Sequence, residues 1–228
     1  AKKHTINAMG AASYETVNEK MYEIKATGFP TDLTENYNFR SGLIQLPTTN
    51  GKTEGHLLSF LGRVNYNYAG KYIVTANFRR DGSSRFTEKN QFANFGSVSA
   101  ACNFSSEDFF KKQNIFSNFK IRGSYGTTGN QAIVPYATRY QMIASTVAVG
   151  DLPQSGYALP QVLADLNQRW ETTYQADLGL DMGFLKNKLT VTVDLYHKRT
   201  EDLLQTTNLE PSQGFPSGYR TNFGAVVN

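Results

Sequence analysis

From Trp170 to Leu204 apolar and polar residues exchange places at almost every step. Tyr174, Ala176, Leu178, Leu180, Met182 and Phe184 alternate with Thr173, Gln175, Asp177, Gly179, Asp181 and Gly183. Leu189, Val191, Val193 and Leu195 then alternate with Thr190, Thr192, Asp194 and Tyr196. Successive side chains of a strand point to opposite faces, so a period of two predicts β-strands with one apolar and one polar face. Leu185-Lys186-Asn187-Lys188 lies between them and predicts a tight turn. The apolar band Tyr174–Phe184 is eleven residues long. Globular strands average about 5–6 residues, whereas a tilted strand crossing a bilayer needs about 9–11. The length therefore points to a lipid-facing surface.

The same period recurs upstream. His4–Tyr14 places Ile6, Ala8, Gly10, Ala12 and Tyr14 on one face. Leu57–Tyr68 sets Leu58, Phe60, Gly62, Val64, Tyr66 and Tyr68 against Ser59, Leu61, Arg63, Asn65 and Asn67. Lys71–Arg79 sets Tyr72, Val74, Ala76 and Phe78 against Ile73, Thr75, Asn77 and Arg79. Phe92–Phe104 and Phe119–Thr127 continue the series, the latter with Lys120, Arg122, Ser124 and Gly126 on its polar face. Ala69-Gly70 reads as a two-residue hairpin loop. Ser105–Asn114 reads as one helical turn, with acids at its start and lysines at its end. Arg80–Gln91 reads as a polar tip. Thr16–Glu54 and Asn130–Gln168 read as long irregular loops, and Gln205–Thr221 as a shorter one before a last strand within Phe223–Asn228.

Every second connection in this series is short. In an up-and-down antiparallel sheet alternate connections lie at the same end. Tight turns are thus expected at one end and long loops at the other, which is the layout of outer-membrane barrels. Tyr66, Tyr68, Tyr72 and Phe184 fall near the short-turn end of the apolar face, as an interfacial aromatic girdle would.

Composition sharpens this in four ways. Apolar residues make up 39% of the chain, below the usual globular share of about 45–50%, and mean hydropathy is −0.45. There is no run of 18 apolar residues, so no membrane helix is expected; a barrel hides its hydropathy signal behind a polar lumen face. The net charge of +4 is dispersed, with Arg79-Arg80 and Lys111-Lys112 the densest pairs, unlike the clustered charge of a nucleic-acid binder. The single cysteine, Cys102, excludes an internal disulfide. The chain opens close to a strand and closes within another, so it is expected to be a piece of a larger protein.

Candidate chemistry is sparse. Gly126-Thr-Thr-Gly129 follows a strand and leads into a loop, not into the helix N-terminus a phosphate loop requires. Asp177 and Asp181 share a face but stand about 13 Å apart at about 3.3 Å per residue, too far for a glycosidase pair. His4, His56 and His197 lack a metal-ligand spacing, and Glu201-Asp202 reads as solvated charge. No nucleophile motif occurs, so neither an enzyme, a metal nor a cofactor is expected. What remains is binding. Tyr136, Tyr140, Tyr157 and Trp170, in or beside the second long loop, are candidates for stacking on sugars or packing on peptide side chains. Arg63, Asn65, Asn77, Arg79, Lys120, Arg122, Asp177, Asp181 and Asp194 are the candidate lumen-lining residues.

Several spaced motifs agree with one family. NYNYAGKYIVTANFRRDGSSRF, SSEDFF, FKIRGSYGTTGNQAI and WETTYQADLGLD occur here in order, and together they resemble the barrel of SusC-like (SusC/RagA) TonB-dependent outer-membrane transporters of the Bacteroidetes. The resemblance covers most of Leu57–Leu204, continues to Asn228 and thins in Ala1–Gly55. Cys102 departs from it, standing where the family tends to carry a Trp, which bears on one girdle contact. The resemblance implies an all-β, antiparallel up-and-down barrel of about 22 strands around a plug, of which this chain supplies about eight. It matches no plug domain or TonB box within residues 1–228. It also implies active import of a bulky hydrophilic nutrient, an oligosaccharide or a peptide, with TonB as driver and a SusD-like surface lipoprotein as cap. The residues alone leave open a non-transporting adhesion barrel and a soluble β-sandwich binding module.

Overall fold

The computed structural model describes residues 3–228 except 34, 36, 109, 113, 114, 141, 142, 150, 151, 159–162, 211 and 213–218. Side chains are described for all of these but 111, 143–149, 152–155, 157, 158 and 219. The strands are β1 (His4–Glu23), β2 (Ala26–Thr27), β3 (Ile44–Gln45), β4 (Thr49–Tyr68), β5 (Tyr72–Ser83), β6 (Phe92–Asn103) and β7 (Phe116–Asn130), followed by β8 (Ile143–Val149), β9 (Leu152–Ala158), β10 (Glu171–Phe184), β11 (Leu189–Glu201), β12 (Leu204–Thr207), β13 (Tyr219–Asn222) and β14 (Ala225–Val227). Eight of them form one antiparallel sheet in the order β1-β4-β5-β6-β7-β10-β11-β14. Each wall strand is hydrogen-bonded to its sequential neighbour in the wall, so the sheet is an up-and-down meander.

The two faces hold across the sheet because register carries them. Tyr66, Val74, Ala100, Gly123, Leu178 and Leu195 lie in one cross-strand row on the apolar side. Arg63, Asn77, Ser97, Gly126, Gln175 and Lys198 lie in one row on the polar side. Short connections at 69–71, 104–115 and 185–188 share one end, and the long ones share the other. At the short-turn end the Tyr68 and Tyr72 rings are 6.3 Å apart and Phe184 lies 5.1 Å from Phe116.

Several boundaries differ from the sequence expectation. The two ends of Thr16–Glu54 are not irregular: β1 and β4 pair without interruption from His4↔Tyr68 to Glu23↔Thr49. The backbone ladder needs no alternation where both faces meet water, so the pattern fades while the strands continue. Likewise β5 extends to Ser83 and β7 to Asn130. The β2–β3, β8–β9 and β12–β13 hairpins occupy three of the long connections. The hairpin at Ala69-Gly70 takes three residues, because the ladder closes at Tyr68↔Tyr72. Ala69 and Gly70 both have positive φ (53° and 72°), and Lys71 N–H donates to Tyr68 O at 2.9 Å, a turn whose twist suits the flanking strands. Ser105–Asn114 contains two 3-10 turns, Phe104–Ser106 and Phe110–Lys112, in place of one helical turn. Ser105 caps no helix; its Oγ instead accepts from the Phe119 N–H of β7.

Candidate functional site: the polar face and the loop platform

The polar face is a chain of paired groups. Arg79 Nε lies 2.7 Å from each carboxylate oxygen of Asp81, and its Nη2 donates to Ser59 Oγ at 3.1 Å. Arg63 Nε donates to Asn77 Oδ1 at 2.6 Å, and Asn77 in turn donates to Ser97 Oγ at 2.9 Å. Asn65 donates to Thr75 Oγ1 at 2.7 Å. Further round the sheet Arg122 bridges Asp181, at 3.3 Å, and Asp194. Asp177 accepts from Ser124 at 3.0 Å and from Gln175 at 2.8 Å. Lys120 sits on the same face, in register with Asp181.

Gly179 leaves room for the Arg122 bridge. A Cβ there would fall 2.5 Å from Arg122 Cζ, so a larger residue would make the guanidinium shift from its path across β10. Asp181 and Asp194 thus share one guanidinium, while Asp177 accepts within a network of its own. This arrangement suits a wetted, largely charge-balanced wall. Between the polar face and the loops lies a cavity of about 560 Å³, whose lining includes Arg63, Asn77, Arg79, Asp81, Asn130 and Trp170.

The long-loop end is knitted together. Arg85 Nη1 donates to Ile133 O at 2.7 Å, and Thr138 Oγ1 returns a bond to Arg85 O at 3.0 Å. Thr87 and Asn90 donate to the carbonyls of Leu166, Asn167 and Gln168. Arg169 grips both carboxylate oxygens of Asp202, at 2.8 and 2.6 Å. The hydrogen bond to Asp202 is the main reason the Arg169 guanidinium is held above its ordinary pKa. Arg220 donates to Ala132 O at 2.7 Å. Beneath these bonds Phe86, Phe95, Ile133 and Trp170 form a buried cluster, with Leu57, Ala93 and Leu204 packed against it.

The four nominated aromatics do not share one surface. Trp170 is buried, its indole 5.1 Å from Phe86 and 5.7 Å from Phe95, with Nε1–H donating to Gln91 O at 3.2 Å. Tyr136 holds a positive φ of 68° and lies under Arg139, 5.9 Å from ring to guanidinium. Tyr140 is exposed. Tyr157 belongs to β9, and its side chain is outside the described residues. Sequence reasoning overlooked Arg85, Asp81, Gly179 and the Arg169–Asp202 pair. The signal for the first two was the motif RRDGSSRF itself; for Gly179 it was a glycine on the polar face beside a charged row.

At the short-turn end Lys71 Nζ meets Glu107 Oε2 at 2.9 Å. The hydrogen bond from Lys71, then that from Tyr72, holds the Glu107 carboxyl below the usual carboxylate range, and the same bond raises Lys71.

Comparison with known proteins matches this geometry. The family described as TonB dependent receptor-like, beta-barrel aligns with residues 5–228. TonB-dependent receptor P3 of Formosa agariphila is 37% identical over 99% of this chain and 22% of its own length. TonB-dependent receptor SusC of Bacteroides thetaiotaomicron is 32% identical over 77% of this chain and 18% of its own. The solved structure of the RagAB peptide transporter superposes with a TM-score of 0.81 at 26% identity, over 100% of this chain and 25% of that one. The chain therefore spans about a quarter or less of the length of each relative. Its eight-stranded sheet is a segment of a barrel wall, and the chain belongs to the TonB-dependent receptor β-barrel family.

Proposed function

We propose that this chain is wall and extracellular loop of an outer-membrane importer driven through TonB, passing a bulky hydrophilic solute along its polar face. The observation that carries the reading is the sorting of the sheet. One face is apolar and open, the other carries a series of paired polar groups, and all the long loops stand at one end. An apolar sheet face of this extent suits lipid, and a polar one suits a water-filled lumen. The long-loop end then lies outside the cell and the turns at 69–71, 104–115 and 185–188 face the periplasm. The lumen set is Arg63, Asn65, Asn77, Arg79, Lys120, Arg122, Asp177, Asp181 and Asp194. Tyr136, Tyr140, Tyr157 and Trp170 belong to the mouth, and Trp170 lines the cavity where mouth meets lumen.

An oligosaccharide or a peptide is the proposed cargo. A related structure is described as a peptide transporter, which supports the second. A SusD-like surface lipoprotein is the proposed cap, through family membership alone. Deleting the gene and following uptake of labelled glycans and peptides tests the reading. Loss of one class of cargo is expected; unchanged uptake of every class, with surface attachment lost instead, would replace transport by adhesion.

A further inference from the structure

The charged side chains lining the cavity of about 560 Å³ are Arg63, Arg79 and Asp81. Arg79 and Asp81 neutralise each other at 2.7 Å. Further along the same face Arg122 is neutralised by Asp181 and Asp194. Arg63 differs from both. Its Nε is held at 2.6 Å by the neutral amide oxygen of Asn77, and among the described residues no carboxylate pairs with it. Asn77 is itself fixed by its bond to Ser97. On β1 the register partner of Arg63 is Met9, and the same-face acid Glu15 lies opposite Leu57, well along the strand.

The guanidinium is therefore oriented through Nε, while among the described residues no acceptor holds its two terminal nitrogens. Two parallel N–H donors in a planar fork match a carboxylate. Leu57 and Leu61, half-buried on the lining of the same cavity, would pack against the body that carries it.

We propose that Arg63 binds a carboxylate of the transported solute, so that an acidic cargo is preferred over its neutral equivalent. This rests on the transport reading above. The carboxylate has two possible sources, a uronic acid in an oligosaccharide and the C-terminus of a peptide. The full-length transporter, purified in detergent, is titrated with four probes: a glucuronate-containing oligosaccharide, its glucose counterpart, a short peptide and its C-terminal amide. In one pair the acidic member is expected to bind about 10–100-fold tighter, the range for a hydrogen bond to a charged group. That pair identifies the source. Arg63→Gln should erase the preference, and Arg63→Lys should restore only part of it. Asn77→Ala keeps the charge but frees the guanidinium, so it should weaken the preference even where Arg63→Gln fails to fold. Equal affinities within both pairs, a preference that survives Arg63→Gln, or no binding of either acidic probe overturns the proposal. Cargo uptake in whole cells that persists beside equal affinities would leave the transport reading standing and remove this one.

Discussion

The loop-end cluster and the outer face of the wall are made of the same kinds of residue in opposite surroundings. Phe86, Phe95, Ile133 and Trp170 are 1–7% exposed, whereas Phe60, Phe78, Val98 and Leu178 remain 47–54% exposed. Fully burying a large apolar side chain is worth about 1.5–3 kcal/mol. At the loop end that gain comes from protein, because the loops stand in water and close over their own dry core. On the wall none of the described residues covers the apolar row, and a soluble sheet rarely leaves so wide an apolar patch open. In the reading proposed above its cover is lipid. Identical alternation thus serves two solvents, and the element that covers it tells them apart.

The sharpest way to break this comparison is Trp170→Ala in the full-length protein. Removing a buried Trp is expected to destabilise the loop end by about 3–5 kcal/mol. Limited proteolysis should then cut within 84–91 and 131–170, while circular dichroism reports an intact sheet. Loops that stay resistant would show that the polar latch around Arg85, not the aromatic cluster, holds the platform.

Leu180→Arg probes the other region. Near the bilayer midplane it should cost about 2–4 kcal/mol, read from urea unfolding out of lipid vesicles, and the same change at Tyr174 should cost less. A penalty independent of depth would mean that protein, not lipid, covers this face.

The smallest effect is expected at the short-turn end, which neither region reaches. The carboxyl of Glu107 is held below its usual range, so its stabilising contribution is present at neutral pH and is lost as pH falls below the usual carboxylate range. Lys71 is raised, so its contribution persists through neutral pH and is lost only on going strongly alkaline. Glu107→Gln should flatten the acid limb of the stability profile and leave loop proteolysis as in the wild type. An unchanged acid limb would remove the Lys71–Glu107 pair as a clamp on the turns.

Much of the wall was legible in the sequence, and the reasons it was or was not are local. Tyr174–Phe184 and Leu58–Tyr68 declare their faces because one side of each is apolar. The outer parts of β1 and β4 carry polar residues on both sides, so no period marks them, although their pairing continues to Glu23↔Thr49. The lumen residues could be assigned to a face in the same way, but not their partners. Arg122 draws its two carboxylates from positions 59 and 72 residues away, and Arg85 reaches a carbonyl 48 residues away. Its place beside a loop makes Trp170 a candidate stacking residue in the sequence. Its burial depends on Phe86 and Phe95, which arrive from β6 and the loop before it.

By itself the sequence determined which face each wall residue takes and at which end each connection lies. Both follow from the backbone, since side chains alternate along a strand and successive antiparallel strands reverse direction. Only the tertiary structure decided which arginines are neutralised and which aromatics are dry. Charge balance and burial are set through space, by neighbours that register brings together from distant parts of the chain.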